Sequence, residues 1–262
     1  MTSAAHAALP ALALVRTRLT LYAALIPALA LAEGLAALGA PGVALAIDVA
    51  LVLGLANAAL FVRSRSAARL LCILALVPLI RPLVMAMSLD VVPREYWPAL
   101  AGAPLLVAAL WAAHTVDFPL ADRLLRSTVP GLRRALVCGP LLGLGAYLTA
   151  GPPEPRLAAP GLLLAGAGLA LLAAPAQEIL FRGVLQRLVA ETYGPRAIVL
   201  VILNGVYAST LLGVSLAFAL YMGAVGMGFS TFVRRTGVLG EVVAAHAGLG
   251  VFGLLVWPLV LG

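Results

Sequence analysis

The residues whose types and spacing could do chemistry are few in a chain that is mostly apolar. Gln177-Glu178-Ile179-Leu180-Phe181-Arg182 places an acid and a base at i and i+4, acid first, the order in which two such side chains meet on one helical face. Alone, the pair reads equally well as a structural salt bridge at a helix end. His246 adds to it, lying about eight residues into the last apolar run, ~12 Å from the run's Arg-flanked start at ~1.5 Å per residue. Glu178 lies a turn or more from the matching end of its own run, so the two share one half of the membrane. A carboxylate and an imidazole at compatible depth can orient and deprotonate a water. The chemistry would be hydrolysis inside a membrane. A lone His in a bundle is also commonly a satisfied core residue, so the inference depends on these two helices meeting.

The elements that must position them follow from composition. The chain is 63% hydrophobic and 10% charged, with a mean hydropathy of +1.11. These values override the one or two soluble domains that 262 residues would suggest and indicate an integral membrane protein. A span needs roughly 20 mostly apolar residues, and runs of that kind, parted by Arg or Pro/Gly clusters, number about nine. The alternation of a membrane barrel is absent, so the expected fold class is all-α, a polytopic transmembrane helical bundle. The net charge of +7 comes from 17 Arg and no Lys. By the span assignment 14 of the 17 Arg lie on one side, Arg94 and Arg156 on the other and Arg81 inside, so the charge reports topology. It places the N-terminus in the cytoplasm and the C-terminus outside. Membrane lipids, not nucleic acid, are the implied partners.

In order, spans are expected at 19–38, 43–62, 70–90 and 97–116. The polar segment Asp117 to Arg134 carries a short interfacial helix, and further spans follow at 134–150, from Pro160 to the Glu178 motif, twice within 197–233, and at 238–260. The chain thus divides into an N-terminal four-span unit, 1–133, and a C-terminal five-span core, 134–262. No internal repeat relates the halves, which weakens a transporter reading. Arg81 at mid-span needs a partner, with Glu33 and Asp48 as candidates for a structural ion pair. Cys72 and Cys138 fall inside spans without metal-ligand spacing and read as core thiols. The first 15 residues lack the pattern of a signal peptide, so retention of the N-terminus is expected.

Gln177-Glu-Ile-Leu-Phe-Arg-Gly-Val-Leu-Gln186 resembles the first motif of the CPBP family, the CaaX protease and bacteriocin-processing (Abi-type) glutamic intramembrane endopeptidases, which reads Glu-Glu-x-x-x-Arg. Arg235-Thr236-Gly237, followed by His246, is similar to the lead-in and His of that family's last motif, His-x-x-x-Asn/Asp. The resemblance spans about residues 134–257. It implies a helical membrane protease, located in a prokaryotic cell membrane, that processes membrane-associated or lipidated peptides. In such a protease the leading Glu and a His on a middle helix activate water, while the last His and Asn/Asp hold the oxyanion.

Three departures stand beside the match. Gln177 occupies the leading Glu position, and an amide can hold a water but not take its proton. The middle motif, Phe-x-x-x-His, is expected on the seventh span, where the sequence is Leu203-Asn-Gly-Val-Tyr-Ala-Ser-Thr210; the chain's three histidines are His6, His114 and His246. Gly250 stands at the Asn/Asp position. Glu178, Arg182 and His246 survive, and three readings stay open. They are a rearranged site in which Asn204, Tyr207 and Ser209 lend hydrogen bonds, an inactive homologue that binds a peptide or partner helix as scaffold or immunity factor, and a small-molecule carrier lined by Arg81, Glu33 and Asp48. No cofactor is expected. A metal is not expected either, since Glu178 and His246 supply two ligands where a zinc site takes at least three.

Overall fold

Apolar runs that cannot leave backbone groups unpaired in lipid fold as helices, and no strand occurs among the described residues. The computed structural model describes residues 24–86, 92, 96–150, 159–194 and 197–261. A hairpin opens the described chain, α1 (Ala24–Ala37) turning through Gly39 at φ +83° into α2 (Pro41–Phe61). Next come α3 (Arg65–Leu74), capped by Ser64, and α4 (Leu76–Ala86), a single path broken at Ala75. After α5 (Trp97–Thr115) and the short α6 (Leu120–Leu125), α7 runs Val129–Ala150. The remainder is α8 (Gly161–Tyr193), α9 (Ala197–Ser209), α10 (Leu216–Thr236) and α11 (Gly240–Leu261). Five of these, α2, α5, α8, α10 and α11, are long and apolar enough to cross a membrane, and α1 and α9 are shorter apolar helices. The protein is an all-α polytopic membrane bundle.

Two expectations change. The sixth span does not end at the Glu178 motif: α8 continues to Tyr193, 33 residues from Gly161, and the motif lies within it. Arg182 therefore belongs to the interior, 2% exposed, and leaves the set of residues flanking a span. Cys72 and Cys138 are exposed rather than core thiols, because each sits on the outward face of its helix. Other expectations fall outside the described residues: the side chain of Arg81, the loops holding Arg94 and Arg156, His6 and the start of the first span.

Local chemistry explains two of the irregularities in α8 and α11. A proline within a helix has no N–H to give, and the ladder must adjust around it. In α8 a π-helical turn at Leu169–Ala173 precedes Pro175, and the N–H of Ala174 reaches back to the carbonyl of Leu169. In α11 the same device, Phe252–Val256, precedes Pro258, with the Trp257 N–H bonded to the Phe252 carbonyl. A third π segment, Ile179–Leu185, contains no proline and coincides with the Glu178–Arg182 motif. Such bulges recur at functional sites.

Glycines set how closely the helices carrying the site approach. On α7, Gly139 and Gly143 face Gly248 and Gly253 of α11, and a Cβ on Gly139 would come within 2.9 Å of the Gly248 Cα. Close backbone approach of this kind lets dispersion, the main attraction between helices in lipid, act over many atoms. It fixes α11, and with it His246, against α7.

Candidate active site

Glu178 is the centre of the site and is fully buried, at 0% exposure. Its Oε1 lies 2.5 Å from Nδ1 of His246, and its Oε2 lies 3.4 Å from Nε of Arg182. With a carboxylate, which only accepts, at this distance, the neutral ring that fits carries its proton on Nδ1 and leaves Nε2 as acceptor. The expected meeting of α8 with α11 therefore occurs. Arg182 is held on its far side: Nη2 donates to Oδ1 of Asn204 at 3.3 Å, and the guanidinium lies 4.5 Å from the centre of the Tyr207 ring. A buried charge persists only when paired and hydrogen-bonded. Glu178 and Arg182 are paired with each other, Glu178 contacts His246 through Oε1 and Arg182 contacts Asn204 through Nη2, while Arg182 Nη1 is left without a partner among the described residues.

Adjacent residues on a helix point about 100° apart, so Gln177 faces elsewhere. Its Oε1 accepts a hydrogen bond from Tyr207 Oη at 3.2 Å. Gln177, Tyr207, His246 and Gly250 line a common cavity of about 260 Å³, whose remaining wall is apolar. Four of the expected positions thus share one space, while Glu178 stays behind His246 and off the cavity wall. Phe229 packs against the His246 ring, with centroids 6.1 Å apart.

Asn204 and Ser209 do not join that cavity. Asn204 is occupied by Arg182, by the Leu200 carbonyl at 2.9 Å and by Ser230 Oγ at 3.0 Å, and so supports the ion pair. The Ser209 hydroxyl donates to the Val206 carbonyl at 2.7 Å within its own helix, as Ser side chains in helices do. His114 is exposed on the last turn of α5. Glu33, 8% exposed, and Asp48, 2% exposed, line a second cavity, about 330 Å³, which also touches Gln177 and Tyr207.

Sequence reasoning missed two contributors. Ser230 of α10 receives the Asn204 amide on its hydroxyl, and its carbonyl accepts from Gln186 Nε2 at 3.0 Å. Gly226, one turn away, leaves the room Arg182 needs, since a Cβ there would fall onto Arg182 Nη2 and Asn204 Oδ1. The run of small residues Gly223, Gly226 and Gly228 was the available signal, but nothing in it says which glycine faces a side chain.

A family model described as Rce1-like, Type II CAAX prenyl endopeptidase Rce1-like, matches residues 159–252. The matched segment begins before Gln177 and ends after Gly250, so it contains the whole constellation. This part of the chain is similar to Rce1-like domains, a likeness consistent with the CPBP resemblance of its motifs. Comparison with curated proteins and with solved structures gives no match. The matched segment comprises α8 to most of α11, and residues 1–158 lie outside the match.

Proposed function

We propose that the protein is an intramembrane endopeptidase of the CPBP type in which the general base has moved to His246. The observation that carries this reading is the Glu178–His246 contact beside a cavity shared with Gln177 and Tyr207. Glu178, fixed by Arg182, orients His246 through Nδ1 and stabilises the imidazolium that forms when Nε2 accepts a proton from water. The hydroxide attacks the peptide carbonyl carbon. The carbonyl oxygen gains negative charge, which the N–H donors of Gln177 and the Tyr207 hydroxyl are suited to hold. Collapse breaks the C–N bond, and His246 returns its proton to the leaving amine. Gln177, unfit as a base, thus serves as a donor, and Gly250 supplies no side chain to the cavity. Substrates are membrane-associated or lipidated peptides, and the Arg-rich end of the bundle faces the cytoplasm. The C-terminal unit, 134–262, holds the catalytic groups, and the N-terminal unit covers one face of them through the cavity bearing Glu33 and Asp48.

A second reading, an inactive homologue that binds a peptide or partner helix, is favoured by one observation: among the described residues no carboxylate lines the cavity that holds His246. Incubation of the purified protein in detergent with a quenched fluorescent, lipidated peptide separates the two. The first reading expects slow cleavage that His246→Ala abolishes and Tyr207→Phe weakens. Photocrosslinked peptide recovered intact, with no product from wild type or from Gln177→Glu, would establish the second.

A further inference from the structure

Arg182 also lines a different cavity, of about 210 Å³, in which neither His246 nor Gln177 takes part. Four arginines, Arg123, Arg182, Arg187 and Arg234, are among the residues that line it. Arg123 is held in place by donating Nη1 to the Gly237 carbonyl at 3.0 Å, and Gly237 ends α10 at φ +71°. Arg187 pairs with Glu191 at 2.7 Å and also donates to the Asp117 carbonyl. No carboxylate is among the described residues that line the cavity, and Glu178 and Glu191 pair with Arg182 and Arg187.

Two of the lining residues, Arg182 and Gln186, each have a buried polar atom unanswered by the protein. The Arg182 side chain is 1% exposed, yet its Nη1 has no hydrogen-bond partner among the described residues. Gln186, 7% exposed, spends Nε2 on the Ser230 carbonyl and leaves Oε1 without a donor. Buried groups in this state carry a desolvation cost that a ligand can remove. The cavity thus calls for an anion with several acceptor oxygens for the guanidiniums and a donor for Gln186. A phosphate bearing a neighbouring hydroxyl or amine has both, and several arginines around one small volume suit its geometry.

We propose that this basic cavity binds the phosphate of a hydroxyl- or amine-bearing compound, as an anionic phospholipid headgroup or as the free phosphate monoester. Its position at the Arg-gathering end of the bundle, which under the proposed orientation meets the anionic headgroups of the cytoplasmic leaflet, fits the former source.

The full-length protein, purified in detergent, is titrated with short-chain phosphatidylglycerol, short-chain phosphatidylcholine and glycerol phosphate, and thermal unfolding is followed. Phosphatidylglycerol is expected to raise the midpoint, since a ligand of the folded state stabilises it. Phosphatidylcholine, which has no hydroxyl or N–H donor in its headgroup, is expected to leave it unchanged. Arg187→Gln/Arg234→Gln is expected to weaken phosphatidylglycerol binding about tenfold or more, while the control Arg63→Gln/Arg65→Gln, altered at exposed arginines away from the cavity, binds as wild type. The single Arg234→Gln, at an exposed position, gives an intermediate loss and guards against misfolding of the double variant. Glycerol phosphate equal to the lipid assigns the free anion as ligand, and a response to the lipid alone assigns the headgroup. Equal responses to both lipids, equal losses in the two double variants, or no shift with any of the three compounds overturn the proposal.

Discussion

Replacing Arg182 by Met tests whether the ion pair is a mutual dependence of two buried charges. Glu178 is 0% exposed and its Oε2 faces Arg182 Nε at 3.4 Å. Without Arg182, a carboxylate remains in the bundle with His246 as its one neighbour of opposite or neutralising character among the described residues. Removing one partner of a buried pair costs about 3–5 kcal/mol, chiefly because the other charge is stranded. Adding Glu178→Gln to Arg182→Met removes the stranded charge and keeps an oxygen for His246 Nδ1. What is then missing is packing and the Asn204 hydrogen bond, ~1 kcal/mol for the latter. The double variant should therefore be more stable than Arg182→Met by about 2 kcal/mol or more, a rise of roughly 4–8 °C in midpoint if each kcal/mol is worth 2–4 °C. Reversible unfolding in mixed micelles, followed by far-UV circular dichroism on wild type, both singles and the double, gives the cycle. A double variant at or below the Arg182→Met midpoint would refute the reasoning, because it would mean that removing Arg182 strands no charge at Glu178.

Gly226→Val should lower stability by about 1–3 kcal/mol, read in the same assay, because the added side chain occupies the space of Arg182 Nη2 and Asn204 Oδ1. Gly250→Asn should be tolerated, since a Cβ there meets nothing closer than Leu169 Cβ at 3.8 Å, whereas Gly248→Asn should unfold at markedly lower temperature because its Cβ meets the Gly139 Cα at 3.0 Å. Tyr207→Phe should cost no more than about 1.5 kcal/mol, the worth of one neutral hydrogen bond to Gln177, while lowering any peptidase rate by a larger factor than that stability change implies.

The sequence made the helical class and the Glu178–Arg182–His246 grouping legible, because i, i+4 spacing fixes which side chains meet and few polar residues compete. It misjudged where α8 stops. An arginine in an apolar run reads as the membrane surface, since charge is costly in hydrocarbon. Here the cost is met by Glu178, Asn204 and the Tyr207 ring, which come from tertiary packing and leave no local mark. Asn204 was singled out for the right element and the wrong contact: its depth on α9 follows from sequence, but its orientation toward Arg182 depends on how α9 and α10 pack around Gly226. The cysteines were misplaced for a related reason, since lying within a span does not say whether a residue faces protein or lipid.

The step from Gln177 to Glu178 is one residue in sequence and a change of environment in space. Gln177 is part of the cavity wall, whereas Glu178 is sealed behind His246 with both oxygens directed at cations or N–H donors. A carboxylate so placed cannot reach a water in the cavity itself, so any basicity it contributes must pass through the imidazole. That constraint separates two substitutions that look alike. Gln177→Glu puts a carboxylate on the cavity wall opposite no second histidine, and under the proposed mechanism it removes the N–H donors offered to the carbonyl oxygen, so cleavage should fall. Were Gln177→Glu to raise cleavage instead, the base would belong at position 177, and the Glu178–His246 pair would be a structural support of the bundle.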